Sequence, residues 1–307
     1  MEFNKVALSV DAQLALLKQR GMLFVDEARA KQSLQHINYY RLRAYWLAFE
    51  DDKKSTKSGD HAFVDGTRFE SVLAIYAFDQ QLKSLLSEAI ESVEISLRTQ
   101  WAYQLSLRYG SHAHLKSELF KKQEVHTRCL SMLYGDIGRS KETFITHYFA
   151  KYSHPDMPPI WAVCELFTLG QLSHWVDTLK SGQHRQAICA IYGLDERIVC
   201  AFLHHLATVR NLCAHHSRVW NRRFTLRMVL PKLPSQLSAH LNHEPQAVNK
   251  VYNTCAMLAY LHSRIAPQSD WTKRFLDLLI TAPPGFESSM GFVKGWQSLN
   301  LWIKTTR

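Results

Sequence analysis

The stretch from Thr208 to Arg223, TVRNLCAHHSRVWNRR, gathers Arg210, Asn211, His215 and His216, then Arg218, Trp220, Asn221, Arg222 and Arg223. Guanidinium groups bind phosphate oxygens through a planar fork, and imidazoles exchange protons near neutral pH. Cutting RNA without a metal needs three things. A base must take the proton of the ribose 2′-hydroxyl, an acid must protonate the leaving 5′-oxygen, and a fixed positive charge must face the developing phosphorane. Histidine fits the first two roles and arginine the third. Asn211 cannot titrate, so its amide would orient the imidazole or a phosphate. This chemistry requires no metal, nucleotide loop or activated serine, and no cofactor is expected.

The element that carries these residues reads as a helix starting near Asp195, with Leu203, Leu206 and Val209 as its apolar side. At about 100° per residue, Asn211 and His215 share a face with His204, Arg218 and Arg222. Together they form a polar stripe. Arg210 lies about 120–140° from its centre and must reach back with its long side chain. Arginine followed by histidine at a comparable distance also occurs at Arg29/His36, Arg108/His114 and Arg197/His204, so this pairing alone has little meaning. The complete string RN-x-x-x-H, with a second histidine and the RVWNR sequel, is what sets 208–223 apart.

The surrounding sequence is helical throughout. Ser9 and Asp26 are positioned as caps for helices that begin the chain, and Ile37 to Phe49 predicts a third. The apolar-free segment 51–60 (DDKKSTKSGD) reads as a loop, with Lys53, Lys54 and Lys57 solvated in it. From Thr67 to Tyr109, apolar residues recur at three and four without a proline. They predict one very long helix, or two joined near Phe78 and Asp79. Prolines 155, 158 and 159 break the pattern, and shorter helices follow over 161–167, 172–179 and 185–192. Asn249 to Ile265 predicts an amphipathic helix, and the chain beyond reads as an irregular or helical tail. The expected fold class is all-α. The expected division is an N-terminal helical unit (1–50), a core domain (61–265) and a C-terminal tail (266–307).

With 307 residues and 46% hydrophobic content, the chain can bury a substantial core. Charged residues reach 21%, which argues against intrinsic disorder. The net charge of +10 favours a polyanion such as RNA as partner. Six scattered cysteines form no C-x-x-C pair, which argues against a disulfide framework and against a zinc knuckle. The N-terminus lacks a signal-peptide apolar core, and no window approaches a membrane span. A cytoplasmic protein with no membrane association is expected. The pairs His204/His205 and His215/His216, with His112 and His114, invite a metal reading. Adjacent histidines on a helix point to opposite sides, however, and no H-E-x-x-H is present, so no metal ligands are assigned.

RNLCAHHSRVWNR resembles the signature of the Abi-like family of bacterial abortive-infection proteins. Segments 16–50, 69–105 and 161–175 are similar to that family's N-terminal region, central helix and pre-signature segment. The likeness spans about residues 14 to 225. It implies a HEPN-like helical bundle with an N-terminal helical extension. In that class R-N-x-x-x-H carries metal-independent RNA cleavage, often at a site composed of two copies. By position the motif makes Arg210, Asn211 and His215 the catalytic set. A neighbouring helix often adds an acidic residue, for which Glu94 is the best candidate and Glu91 the other. The chain has a single RN-x-x-x-H, so a composite site requires a homodimer. The resemblance also implies a small structured non-coding RNA as partner or antitoxin.

RNA contacts are expected from His216, Arg218, Arg222 and Arg223, and from Tyr40, Arg41 and Arg43 in the aromatic-rich segment NYYRLRAYW. In that segment Tyr39, Leu42 and Trp46 have the spacing of core residues. Glu94 and Arg98, four apart, have the spacing of a helix-surface ion pair. Two further readings stay open on sequence: a non-catalytic RNA-binding protein, and a defence sensor whose polar stripe faces a protein partner.

Overall fold

The computed structural model describes residues 6–51, 61–180, 182–226 and 228–303. The polar segment 52–60, with Lys53, Lys54 and Lys57, lies outside them. The fold is all-α: fourteen α-helices and no strand among the described residues, with three isolated backbone bridges. The chain divides into two compact units, Met1–Lys83 with Asp277–Phe286, and Ser84–Leu276 with Glu287–Arg307.

In the first unit, α1 (Val10–Gln19) starts where the Ser9 side chain accepts from the Ala12 amide, and Gly21 at φ +93° turns the chain after it. Asp26 caps α2 (Glu27–His36) by accepting from the Arg29 amide at 2.9 Å, and Asn38 caps α3 (Tyr39–Trp46). Leu14, Leu17, Leu34, Leu42 and Trp46 are buried, as the helical spacing requires. The Tyr45 hydroxyl donates to Asp79 at 2.7 Å, and Asp79 pairs with Lys83 at 3.2 Å.

The long periodic stretch forms one continuous 41-residue helix, α4 (Phe69–Tyr109), with no joint at Phe78 and Asp79. Its C-terminal part supplies Val93, Leu97, Trp101 and Leu105 to the second unit's core. There follow α5 (Gln123–Arg139), α6 (Thr143–Lys151), α7 (Ile160–Val163), α8 (Leu169–Thr178), α9 (Gln183–Cys189) and α10 (Glu196–Ala214). Trp101, Phe167 and Trp175 form an aromatic cluster with ring centroids 5.4–5.6 Å apart. After α11 (Ser235–Ala239) comes α12 (Val251–Ile265), which is buried on every face from Val251 to Ala259 rather than amphipathic. Its sequence mixes small and apolar residues all round, and such a helix belongs inside. Its polar residues are paired: Asn253 holds the Asn242 amide at 2.8 Å, and Thr254 bonds His205.

The last part of the chain forms α13 (Trp271–Leu279) and α14 (Phe286–Met290). Trp271 is fully buried, stacks on Phe275 and donates from Nε1 to the Leu85 carbonyl at 2.7 Å. Arg274 pairs with Glu88. These contacts tie the start of α13 to α4.

Candidate active site

Helix α10 begins at Asp195, whose side chain accepts from the Arg197 amide at 2.9 Å. It lies alongside α8, with which it packs closely. Helix α8 in turn starts with a capping box between Thr168 and Gln171. Val199, Phe202, Leu203, Leu206, Val209 and Cys213 point inward, which fixes the rotation of α10. His204, Asn211 and His215 are left exposed on the other side, and Arg210 is half-buried.

The helix ends earlier than the polar stripe requires. Ala214 is its last residue, and His215 is the cap, its amide bonded to the Asn211 carbonyl at 2.9 Å. The Ser217 amide reaches back to the Leu212 carbonyl at 2.8 Å, and the His216 amide to Cys213 at 3.0 Å. This double closure is a Schellman motif. Its left-handed position, normally glycine, is held by His216 at φ +55°, the sole non-glycine with positive φ among the described residues. Buried Val219 and Trp220 then draw the chain inward. The stripe is therefore continuous only from His204 through Asn211 to His215. Arg218 and Arg222 follow on irregular backbone, half-buried, with Arg222 Nη1 3.5 Å from the Arg218 carbonyl. Arg223 is exposed, and its charge helps hold the Lys250 ammonium pKa below its ordinary value, with burial the larger cause.

Arg210 donates to the Asn211 side chain at 3.3 Å. On α4, Glu94 is almost wholly buried and ion-paired with Arg98, so the pair sits in the packed interior and not on a helix surface. Burial raises the Glu94 pKa, while the charges of Arg98 and then Arg210 oppose that rise. Glu94 thus lies within the electrostatic reach of Arg210. Arg98 is held further by the Phe167 carbonyl at 2.6 Å and by Glu165 at 3.6 Å. Glu91, the other acidic candidate, is exposed.

A family model for Abi-like proteins matches residues 32–221. The chain belongs to the Abi-like family. Membership connects it with abortive-infection defence against phage. Comparison with curated proteins and with solved structures gives no match. The matched span of this Abi-like chain includes α10 and ends just beyond Trp220, so α11 to α14 lie outside it.

Of the other residues singled out from sequence, Tyr40, Arg41 and Arg43 lie on α3 in the first unit, whereas Glu94 and residues 210–223 belong to the second. Tyr40 and Arg41 are exposed, and Arg43 lies 3.1 Å from the His61 ring. The exposed face of α10 opens on a groove of about 650 Å³ shared with α8, where Arg197, His204, Thr208 and Asn211 face Ser173 and His174. Sequence reasoning missed the α8 side. Ser173, His174 and Asp177 share a polar face at three- and four-residue spacing, but it is narrow beside Leu172, Trp175 and Val176.

The neighbouring histidines are structural. His205 is buried, bonds Thr254 at 2.8 Å, and its pKa is pushed down by burial to about 4. His114, also buried, is pushed down to about 3. Among the described residues no group of three His, Cys, Asp or Glu side chains could hold a metal ion. All six cysteines are buried and unbridged, and no described helix is long and apolar enough to cross a membrane.

Proposed function

We propose that this Abi-like protein defends its host by acting on RNA, as a metal-independent endoribonuclease of the HEPN type. One observation carries the reading. A single helix end presents His215 exposed, with Asn211 and Arg210 joined beside it and Glu94 behind Arg210. His215 serves as the acid–base residue, Arg210 neutralises the phosphorane, and Asn211 orients. Glu94 is a positioning residue that acts through the arginines.

The 2′-oxygen attacks phosphorus as its proton leaves to a base, and the 5′-oxygen departs with a proton from an acid. The products are a 2′,3′-cyclic phosphate and a 5′-hydroxyl. Two proton-transfer roles and one RN-x-x-x-H per chain favour a homodimer that supplies an imidazole from each copy. The net charge of +10 suits a bound structured RNA. His216, Arg218, Arg222 and Arg223 would contact that RNA, as would Tyr40, Arg41 and Arg43.

The test is end-labelled RNA incubated with purified protein in excess EDTA. Cleavage to cyclic-phosphate ends is expected, with loss of at least a hundredfold in His215→Ala at unchanged circular dichroism. Undiminished cleavage by that variant would remove the site. Tight binding without any cleavage would make the protein an RNA binder only.

A further inference from the structure

Two cavities open on either side of α8. The first is the polar groove of about 650 Å³ against α10, where Arg197, His204 and Asn211 are found. The second, about 360 Å³, lies against α5 and is walled by Cys129, Met132, Leu133, Phe167 and Trp175. Both are lined by Gly170 and His174, at the start of α8. The acidic group in the polar groove, Asp177, is within 3.3 Å of both Arg185 and Lys121 and leaves no uncompensated negative charge there. Arg197 is exposed, though it touches Asp195 at 3.1 Å. An apolar recess beside a groove lined by Arg197, two histidines and Asn211 has the pattern of a nucleotide, a flat apolar base on a charged backbone.

We propose that the two cavities form one subsite for an unpaired RNA nucleotide: the base enters the recess against Phe167, Trp175 and Met132, and its phosphate stays in the groove on the His204–Asn211 face. The inference rests on the reading that this protein acts on RNA, and it adds the requirement for a single strand. Bases in a duplex are stacked and paired, and only an unpaired one can turn into such a recess. Asn211 lines the groove and adjoins Arg210, which puts the held nucleotide next to the phosphate that Arg210 and His215 address. The wall residue Met132 is half exposed, and its flexible thioether can adapt to different bases.

Gly170 allows a clean test. A Cβ there would meet nothing nearer than the Thr168 hydroxyl at 3.9 Å, so a side chain can leave the backbone at a residue that lines both cavities. Removing a helical glycine also favours the helix. The experiment uses the full chain carrying His215→Ala, so that RNA stays intact, and short single-stranded RNAs with 2-aminopurine at successive positions. One position is expected to change fluorescence strongly, and an abasic residue there to weaken binding about tenfold, the scale of one lost base stack. Adding Gly170→Leu is expected to abolish both effects while salt-sensitive binding persists. Position-independent signals, or a Gly170→Leu protein that keeps the abasic effect, would overturn the subsite and leave the RNA reading standing. Failure to bind either single-stranded or duplex RNA would overturn both.

Discussion

Replacing His216 by glycine and, separately, by alanine isolates the strain at the end of α10. Both changes remove the imidazole and whatever it touches, so the difference between the two variants reports the backbone alone. At φ +55° a Cβ crowds the adjoining carbonyl oxygen, at a cost of roughly 1–2 kcal/mol. Glycine escapes that cost but loses about 0.5–1 kcal/mol through the greater freedom of its unfolded chain. The net expectation is that His216→Gly is more stable than His216→Ala by about 1 kcal/mol. In urea unfolding followed by tryptophan fluorescence, with a slope near 3 kcal/mol per molar, the midpoints should differ by about 0.3 M. RNA cleavage should fall in both variants alike, because both lack the imidazole. An alanine variant equal to or more stable than the glycine one would refute the left-handed closure. With it would go the argument that α10 stops at Ala214.

Other predictions concern the frame around the site. Burial holds the folded His205 pKa near 4 against an ordinary 6.5, so below pH 6.5 the unfolded chain binds more protons than the folded one. The stability this histidine contributes is complete above pH 6.5 and is lost as pH falls toward 4, by roughly 3 kcal/mol at most. His205→Gln should flatten the pH dependence of the urea midpoint over that window, and an unchanged acid slope would count against a buried neutral imidazole. Trp271→Ala should cost about 3–5 kcal/mol, since it empties a fully buried site and removes the hydrogen bond to the Leu85 carbonyl. A loss under 1 kcal/mol in chemical denaturation would show that the last helices are dispensable.

The elements that were legible in the sequence are those whose signals are local. Ser9, Asp26 and Asp195 cap helices because a short side-chain oxygen reaches an amide two or three residues on, whatever the rest of the fold does. The stripe of α4 was equally plain, because its apolar side is long enough to average out exceptions. The end of α10 was not. Helix ends usually announce themselves by glycine, and here histidine takes that position, held by a turn that Val219 and Trp220 complete through burial. The groove partner was hidden for a related reason. Ser173 and His174 acquire meaning only when α8 lies along α10, and that pairing depends on contacts between helices.

The motif's spacing sets a geometric demand that Asn211 helps to meet. His215 follows Arg210 by five positions, which on a helix sets them about 140° apart, so the long Arg210 side chain must reach back to serve the same phosphate. At His215 a φ of −87° keeps the imidazole on the stripe with Asn211, while a ψ of +12° turns the residues that follow out of the helix. Asn211 bridges the two: its side chain takes the Arg210 guanidinium, and its carbonyl takes the His215 amide. The helix stop, marked by His216 at φ +55°, makes His215 the last residue of the stripe and takes Arg218 and Arg222 off the helix face.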